Sequence, residues 1–168
     1  MLELVTDLRR VPPLERTARD VGRLLAAAAA KPHLTPRLPS RPGSYTRTCA
    51  YSDDRLEVLL LNWWADAASE IHDHGGQHCW LVVLEGRLRV DDYVRVDAGD
   101  IAGKAVLESV GSRQLGSGDL DVRSGRYDVH RVAAAGARGH AARVLAPLTR
   151  VSRVRPHRAA LPAGPRGL

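Results

Sequence analysis

The chain has no phenylalanine, one methionine and two cysteines in 168 residues, and it lacks any apolar run of membrane-spanning length. Each shortage narrows the field. Cys49 and Cys79 are too few for the disulfide framework of a small secreted domain, and they lack CxxC spacing, so a reducing cytosol is the expected compartment. A spanning helix needs about 20 consecutive apolar residues, so no membrane association is expected. Leu24 to Ala30 is apolar, but Asp7, Glu15, Asp20 and Arg23 precede or interrupt it, which argues against a secretory signal. Acidic residues are missing from 150–168, where Arg150, Arg153, Arg155 and Arg158 cluster and help to set the net charge of +6. Such a basic stretch attracts nucleic acid or anionic surfaces. Without interleaved aromatics or a recognised motif, 151–168 reads instead as a solvated, flexible tail with no nucleic-acid partner.

What is present fits one domain with a full core. Pro12 and Pro13 precede a stretch in which Leu14, Ala18, Val21, Leu24, Leu25 and Ala28 recur at three- and four-residue steps, predicting a helix over 14–30 that ends at Pro32. Four prolines and Gly43 between 32 and 44 read as a linker. From Tyr45 the period shortens. Strands are predicted over 45–51, 56–64, 72–74, 80–84, 87–93, 94–96, 106–110, 120–122, 126–132 and 142–148, with turns at Gly99-Asp100 and Gly116 to Gly118. Short, regularly spaced strands argue for an all-β sandwich or barrel over 45–150, with 1–44 packing on it.

His72-Asp73-His74 is the most informative stretch. Two imidazoles one residue apart on a strand point to one side of a sheet and can share a metal ion. Gly75-Gly76 then turns the chain into the apolar run Trp80 to Leu84. A third imidazole, His130, is the candidate to complete the site. His140 competes with it but reads as part of a turn with Gly136 and Gly139. His78 lies past the Gly turn and reads as structural. Three neutral imidazoles add no negative charge, so the site stays cationic, attracts anionic ligands such as thiolates, and leaves positions open. Imidazole suits Fe, Zn, Ni and Cu alike, so the set does not name its metal.

The order His-x-His, Gly turn, apolar strand, Glu85-Gly86 resembles the first motif of the cupin barrel. That motif usually carries a Glu ligand where this chain has Cys79, and a thiolate ligand there would favour Zn or Cu. Ser69 to His74, His78-Cys79 before an aromatic, Leu84 to Leu88, Tyr45-Thr46-Arg47, His130-Arg131-Val132 and a tryptophan at 63 or 64 together resemble the cysteine dioxygenase family, the thiol dioxygenase branch of the cupins, over residues 40–150. The resemblance implies a small, jelly-roll-like cupin β-barrel with an N-terminal helical segment, and one Fe(II) held by His72, His74 and His130. It implies that L-cysteine and O2 are the substrates and cysteine sulfinate the product. Arg47 would hold the substrate carboxylate, a task suited to a planar guanidinium. Relatives that use mercaptopropionate have Gln there. Tyr45 and Cys79 join Arg47 as the catalytic candidates, with Tyr45 reading equally as a pocket wall or a core aromatic.

The chain also departs from the family. Many members carry Ser-x-His-x-Tyr on a late strand, with the Tyr hydroxyl directed at the iron and in some joined by a thioether to the Cys matching Cys79. Here Ala141, Arg143 and Leu145 stand in those places, and no Tyr follows Tyr127. Cys79 is then a free thiol, Leu145 makes the pocket more apolar, and Arg143 either brings a second cation near the site or, as the favoured reading for a barrel strand, points outward. Three readings follow: an iron-dependent dioxygenase of L-cysteine, a divergent cupin oxidising another thiol or giving another product, and a non-enzymatic cupin that only binds small molecules. A monomer or weak homo-oligomer is expected.

Overall fold

Alternation along the strands explains the layering. In the computed structural model, which describes residues 2–11, 18–30, 42–53, 56–123, 128–136, 140–146 and 155–156, β1 (Tyr45–Ser52) pairs with β2 (Glu57–Trp63). Next come β3 (Cys79–Glu85), β4 (Arg87–Arg95), β5 (Lys104–Ala105), β6 (Leu107–Gly116), β7 (Leu120–Arg123), β8 (Val129–Ala134), β9 (His140–Ala146) and β10 (Arg155–Pro156). One sheet has the order β1-β2-β9-β3-β7 and a second has the order β6-β4-β8. Leu59, Leu61, Trp63, Cys79, Leu81 and Val83 face inward from the first sheet and pack on Leu88, Val90, Leu115 and Val132 of the second. The alternate residues Val58, Leu60, Trp80, Val82 and Leu84 pack on Leu4, Val5 and Leu8 of α1 (Leu2–Arg10) and on Val21 and Leu25 of α2 (Ala18–Ala29). Helices therefore cover one face of the large sheet and the small sheet covers the other. That is why Cys79 to Leu84 is buried at every position.

The mainly β, cupin-like expectation is met, with specific differences. The helix predicted over 14–30 is described only from Ala18, and α1 was not anticipated. Its nine residues are too few to be stable alone, and its apolar side is held by packing on the sheet. Val94 to Arg95 continues β4 across a bulge at Asp92/Tyr93 rather than starting a strand. The strand predicted over 72–74 is absent: His72 makes only an isolated bridge to His130. His140 opens β9 opposite Trp63 and is not in a turn. Gly22 permits the close docking of α2, since a Cβ there would lie 2.7 Å from Leu120 Cδ2. Arg155–Pro156 pairs with β5; the rest of the basic tail lies outside the described residues. Among those residues no helix is long and apolar enough to cross a membrane.

Candidate metal centre

The loop after β2 is fastened to β8 before it delivers its histidines. Ser69 N–H donates to the Val132 carbonyl (2.8 Å), and Val132 N–H donates to Ser69 Oγ (3.0 Å). His72 and His130 exchange backbone hydrogen bonds, each 2.9 Å. Gly75 and Gly76 take positive φ of 64° and 83°, and Gly75 N–H donates to Asp73 Oδ1 at 2.7 Å. This Asx turn swings His74 inward without the strand that the sequence suggested. Ring centroids are then 5.2 Å apart for His72–His74, 4.7 Å for His72–His130 and 5.1 Å for His74–His130. One ligand nitrogen from each lies within 4.8 Å of the others, and this is the set of three that meets among the described residues.

The donor chemistry fits a cation. His72 Nδ1 lies 2.9 Å from the Glu70 carbonyl, an arrangement that places the ring proton on Nδ1 and leaves Nε2 as a lone pair. His74 Nδ1 and both nitrogens of His130 are buried without a hydrogen-bond partner. An orphaned buried polar atom costs about 1–3 kcal/mol, a penalty that a bound ion removes at the one nitrogen each ring offers it. Burial first, and then the neighbouring His130, push the His72 imidazole down to about 4 and the His74 imidazole down to about 3. Both are therefore neutral lone-pair donors at pH 7. The sign of the pH dependence follows. The unfolded chain takes up protons on these rings from about pH 6.5 downward while the folded chain resists. Stability of the metal-free protein is thus expected to be highest above pH 6.5 and to fall as the pH drops toward 4. Thermal denaturation between pH 7 and 5 would measure this, and a flat profile would contradict it.

The imidazoles form the floor of a cavity of about 70 Å3, lined also by Tyr45, Arg47, Leu59, Leu61, Trp63, Ser69, Cys79, Leu81 and Val132. Tyr45 stacks on Trp63 with centroids 5.7 Å apart. Arg47 contributes the one guanidinium of the lining, and its Nη2 lies 3.3 Å from Glu57 Oε2. Strand alternation places Glu57 on the same face of β2 as Leu59 and Leu61. His78 is exposed and stacks on Trp80 at 5.6 Å, away from the three-ring cluster.

Cys79 lines the cavity but is not part of the ligand cluster. Burial pushes its thiol well above the ordinary range, so it stays protonated. Cys49 is free and exposed. A thiol reagent is therefore expected to modify Cys49 quickly and Cys79 only on unfolding, and Cys79→Ser is expected to leave metal affinity within about twofold. Mass spectrometry of labelled protein and a metal titration check both; a tenfold loss in Cys79→Ser would make the sulfur a ligand.

On β9 the register sets Arg143 opposite Leu60 and Val82, and Leu145 opposite Val58 and Trp80, all in the helix-facing layer. Ala142 and Val144 stand opposite the inward-facing Leu61, Val83, Leu59 and Leu81. In the backbone register the cavity-lining Leu61 thus stands opposite position 142, and the cavity-lining Leu59 and Leu81 opposite position 144. The side chains of β9 lie outside the described residues.

A helix-backed pair of β-sheets enclosing three imidazoles defines a cupin-fold protein with a candidate metal centre. The family model for cysteine dioxygenase type I matches residues 41–155, and the chain belongs to that family. Curated proteins gave no match. Among solved structures, the TT1209 protein of Thermus thermophilus is similar, with 15% identity, TM-score 0.50, and coverage of 66% of this chain and 89% of the other. A cupin superfamily protein of Desulfitobacterium hafniense has 12% identity and TM-score 0.47, with 67% and 84% covered. KdgF from Halomonas sp. has 18% identity and TM-score 0.47, with 67% and 87% covered. At these identities the likeness concerns the fold alone.

Proposed function

We propose that the protein is an iron-dependent thiol dioxygenase acting on L-cysteine, soluble in the cytoplasm, a monomer or weak homo-oligomer, with its metal-holding unit at 45–150. The observation that carries this is the convergence of His72, His74 and His130 at the floor of a cavity that has Arg47 in its wall. Membership of the cysteine dioxygenase family supports it. The iron, when bound, supplies the oxygen chemistry, by which the thiol RSH and O2 become the sulfinic acid RSO2H with both oxygen atoms on sulfur.

The residues of the chain supply the rest. His72, His74 and His130 would hold the ion as neutral donors, so the site keeps its positive charge and favours a thiolate over a thiol. Arg47 would pair with the substrate carboxylate and fix the direction of the sulfur. Leu59, Leu61, Leu81, Val132 and the Tyr45–Trp63 stack would exclude water from the reacting sulfur. Cys79, protonated and buried, would form a wall and not a reacting group.

A second reading, oxidation of an aminothiol lacking a carboxylate, is favoured by one observation. Glu57 Oε2 lies 3.3 Å from Arg47 Nη2 and sets an anion beside the guanidinium of the cavity lining. Oxygen uptake by iron-loaded protein with cysteine, cysteamine, homocysteine and mercaptopropionate, with mass analysis of the products, separates the two. Turnover of cysteine to a product heavier by two oxygen atoms is expected. No uptake with any small thiol would overturn both and leave a binding module.

A further inference from the structure

Asp121 and Arg123 are buried, and neither lines the cavity. β7 reverses the usual pattern: Asp121 and Arg123 are buried while Val122 is exposed. The register explains the direction, because Asp121 stands opposite Leu81 and Arg123 opposite Cys79, both inward-facing. Arg123 Nε donates to Asp121 Oδ2 and Nη1 donates to Asp128 Oδ1, each at 2.8 Å, and Nη2 lies 2.7 Å from Asp92 Oδ1. Arg113 bridges Asp92 and Asp121 from the small sheet. Three carboxylates thus face two guanidinium groups. An ion cluster is an expensive way to fill a core, since apolar residues of similar volume are often as stable or more so. Asp121 Oδ2 also lies 3.6 Å from His130 Nδ1, within ion-pair range but longer than a full hydrogen bond. That nitrogen has no hydrogen-bond partner.

We infer that Asp121, clamped by Arg123 and Arg113, is a positioning residue that sets the ring orientation of His130 and directs its Nε2 at the metal. The inference rests on the three-imidazole metal centre proposed above. A ligand imidazole with a carboxylate behind it has its tautomer and plane fixed and is a stronger donor, and loss of such an outer partner typically costs roughly 10–100-fold in metal affinity. Two guanidinium groups, Arg123 and Arg113, bond the Asp121 carboxylate. An anion is therefore present behind the ring. Asp92 touches the same two arginines but has no described contact with an imidazole nitrogen, so it serves as the control.

The test is a titration of the full chain with Fe(II) and Co(II), together with the visible spectrum of the cobalt form and thermal denaturation. Asp121→Leu is expected to lower affinity at least about tenfold and to shift the cobalt bands. Asp121→Asn, which keeps an acceptor, is expected to restore part of both. Asp92→Asn is expected to reduce thermal stability while leaving affinity within about twofold and the bands unmoved. Equal losses of affinity in the Asp121 and Asp92 variants, or an unchanged affinity and spectrum in Asp121→Leu, would assign the cluster to stability alone. If Asp121 variants do not fold, Arg113→Gln at the half-exposed end of the clamp is read in the same way, with about a threefold loss and a band shift expected and no change overturning the inference. Wild-type protein that binds metal but oxidises no thiol would remove the proposed function and leave this inference standing. Wild-type protein that binds neither metal would remove both.

Discussion

His130→Ala is expected to abolish iron binding and thiol-dependent oxygen consumption together. His130 comes from β8, whereas His72 and His74 come from one loop, so its removal leaves two ligands within a single short segment. Losing a ligand itself should exceed the roughly 10–100-fold that loss of an outer partner costs in affinity. The expected loss is therefore more than about 100-fold. Stability gives an independent readout. At a free metal concentration of 100 times Kd, binding to the folded state contributes about 2.7 kcal/mol. For a chain of this length that corresponds to a rise in Tm of about 5–10 °C. Wild type is expected to show this rise on adding iron, and His130→Ala is expected not to. His78→Ala should behave as wild type, because that ring is exposed and lies on Trp80. If His140→Ala lost the metal and His130→Ala kept it, the third ligand would be the wrong residue.

The three imidazoles that cluster were legible in the sequence because a metal site demands a particular residue type, and His72 and His74 stand one residue apart. The local geometry was not legible in the same way. Alternation along a strand would place His72 and His74 on one side, whereas the fold achieves the same result through a bridge to His130 and a two-glycine turn. Two different backbones satisfy one sequence spacing, and nothing local distinguishes them. The strands themselves were mostly recovered, since burial on both faces of β3 leaves an apolar run that survives any error of register. What was missed depends on long-range pairing. Neither Glu57 nor Asp121 carried a sequence signal: the contact of Glu57 with Arg47 needs β1 beside β2, and the inward face of Asp121 needs β7 beside β3. The helix α1 was missed for a related reason: its apolar side is short and is stabilised by the sheet it covers.

Arg47→Ala is expected to raise KM for cysteine by roughly 10- to 150-fold while leaving cysteamine nearly unaffected. The magnitude follows from the about 1.5–3 kcal/mol of a hydrogen bond to a charged group, at 1.4 kcal/mol per tenfold. Arg47 already has a partner, so the question is which anion wins. The Arg47–Glu57 contact is a single 3.3 Å approach with the arginine side chain 45% exposed. Pairs of that kind contribute about 0.2–1 kcal/mol. A substrate carboxylate tethered by its own sulfur to a cationic centre meets the guanidinium without a separate entropy cost, and it can use two parallel hydrogen bonds. The substrate is therefore expected to displace Glu57. Glu57→Gln should then act in the opposite direction to Arg47→Ala, lowering KM for cysteine and mercaptopropionate severalfold by removing the anion that competes for Arg47. The selectivity ratio between cysteine and cysteamine in the two variants is the measurement. Equal losses for both thiols in Arg47→Ala would mean that the guanidinium maintains the wall of the cavity and reads no carboxylate. A wild type that prefers cysteamine, with Glu57→Gln abolishing that preference, would make Glu57 the residue that selects the substrate, through its ammonium group.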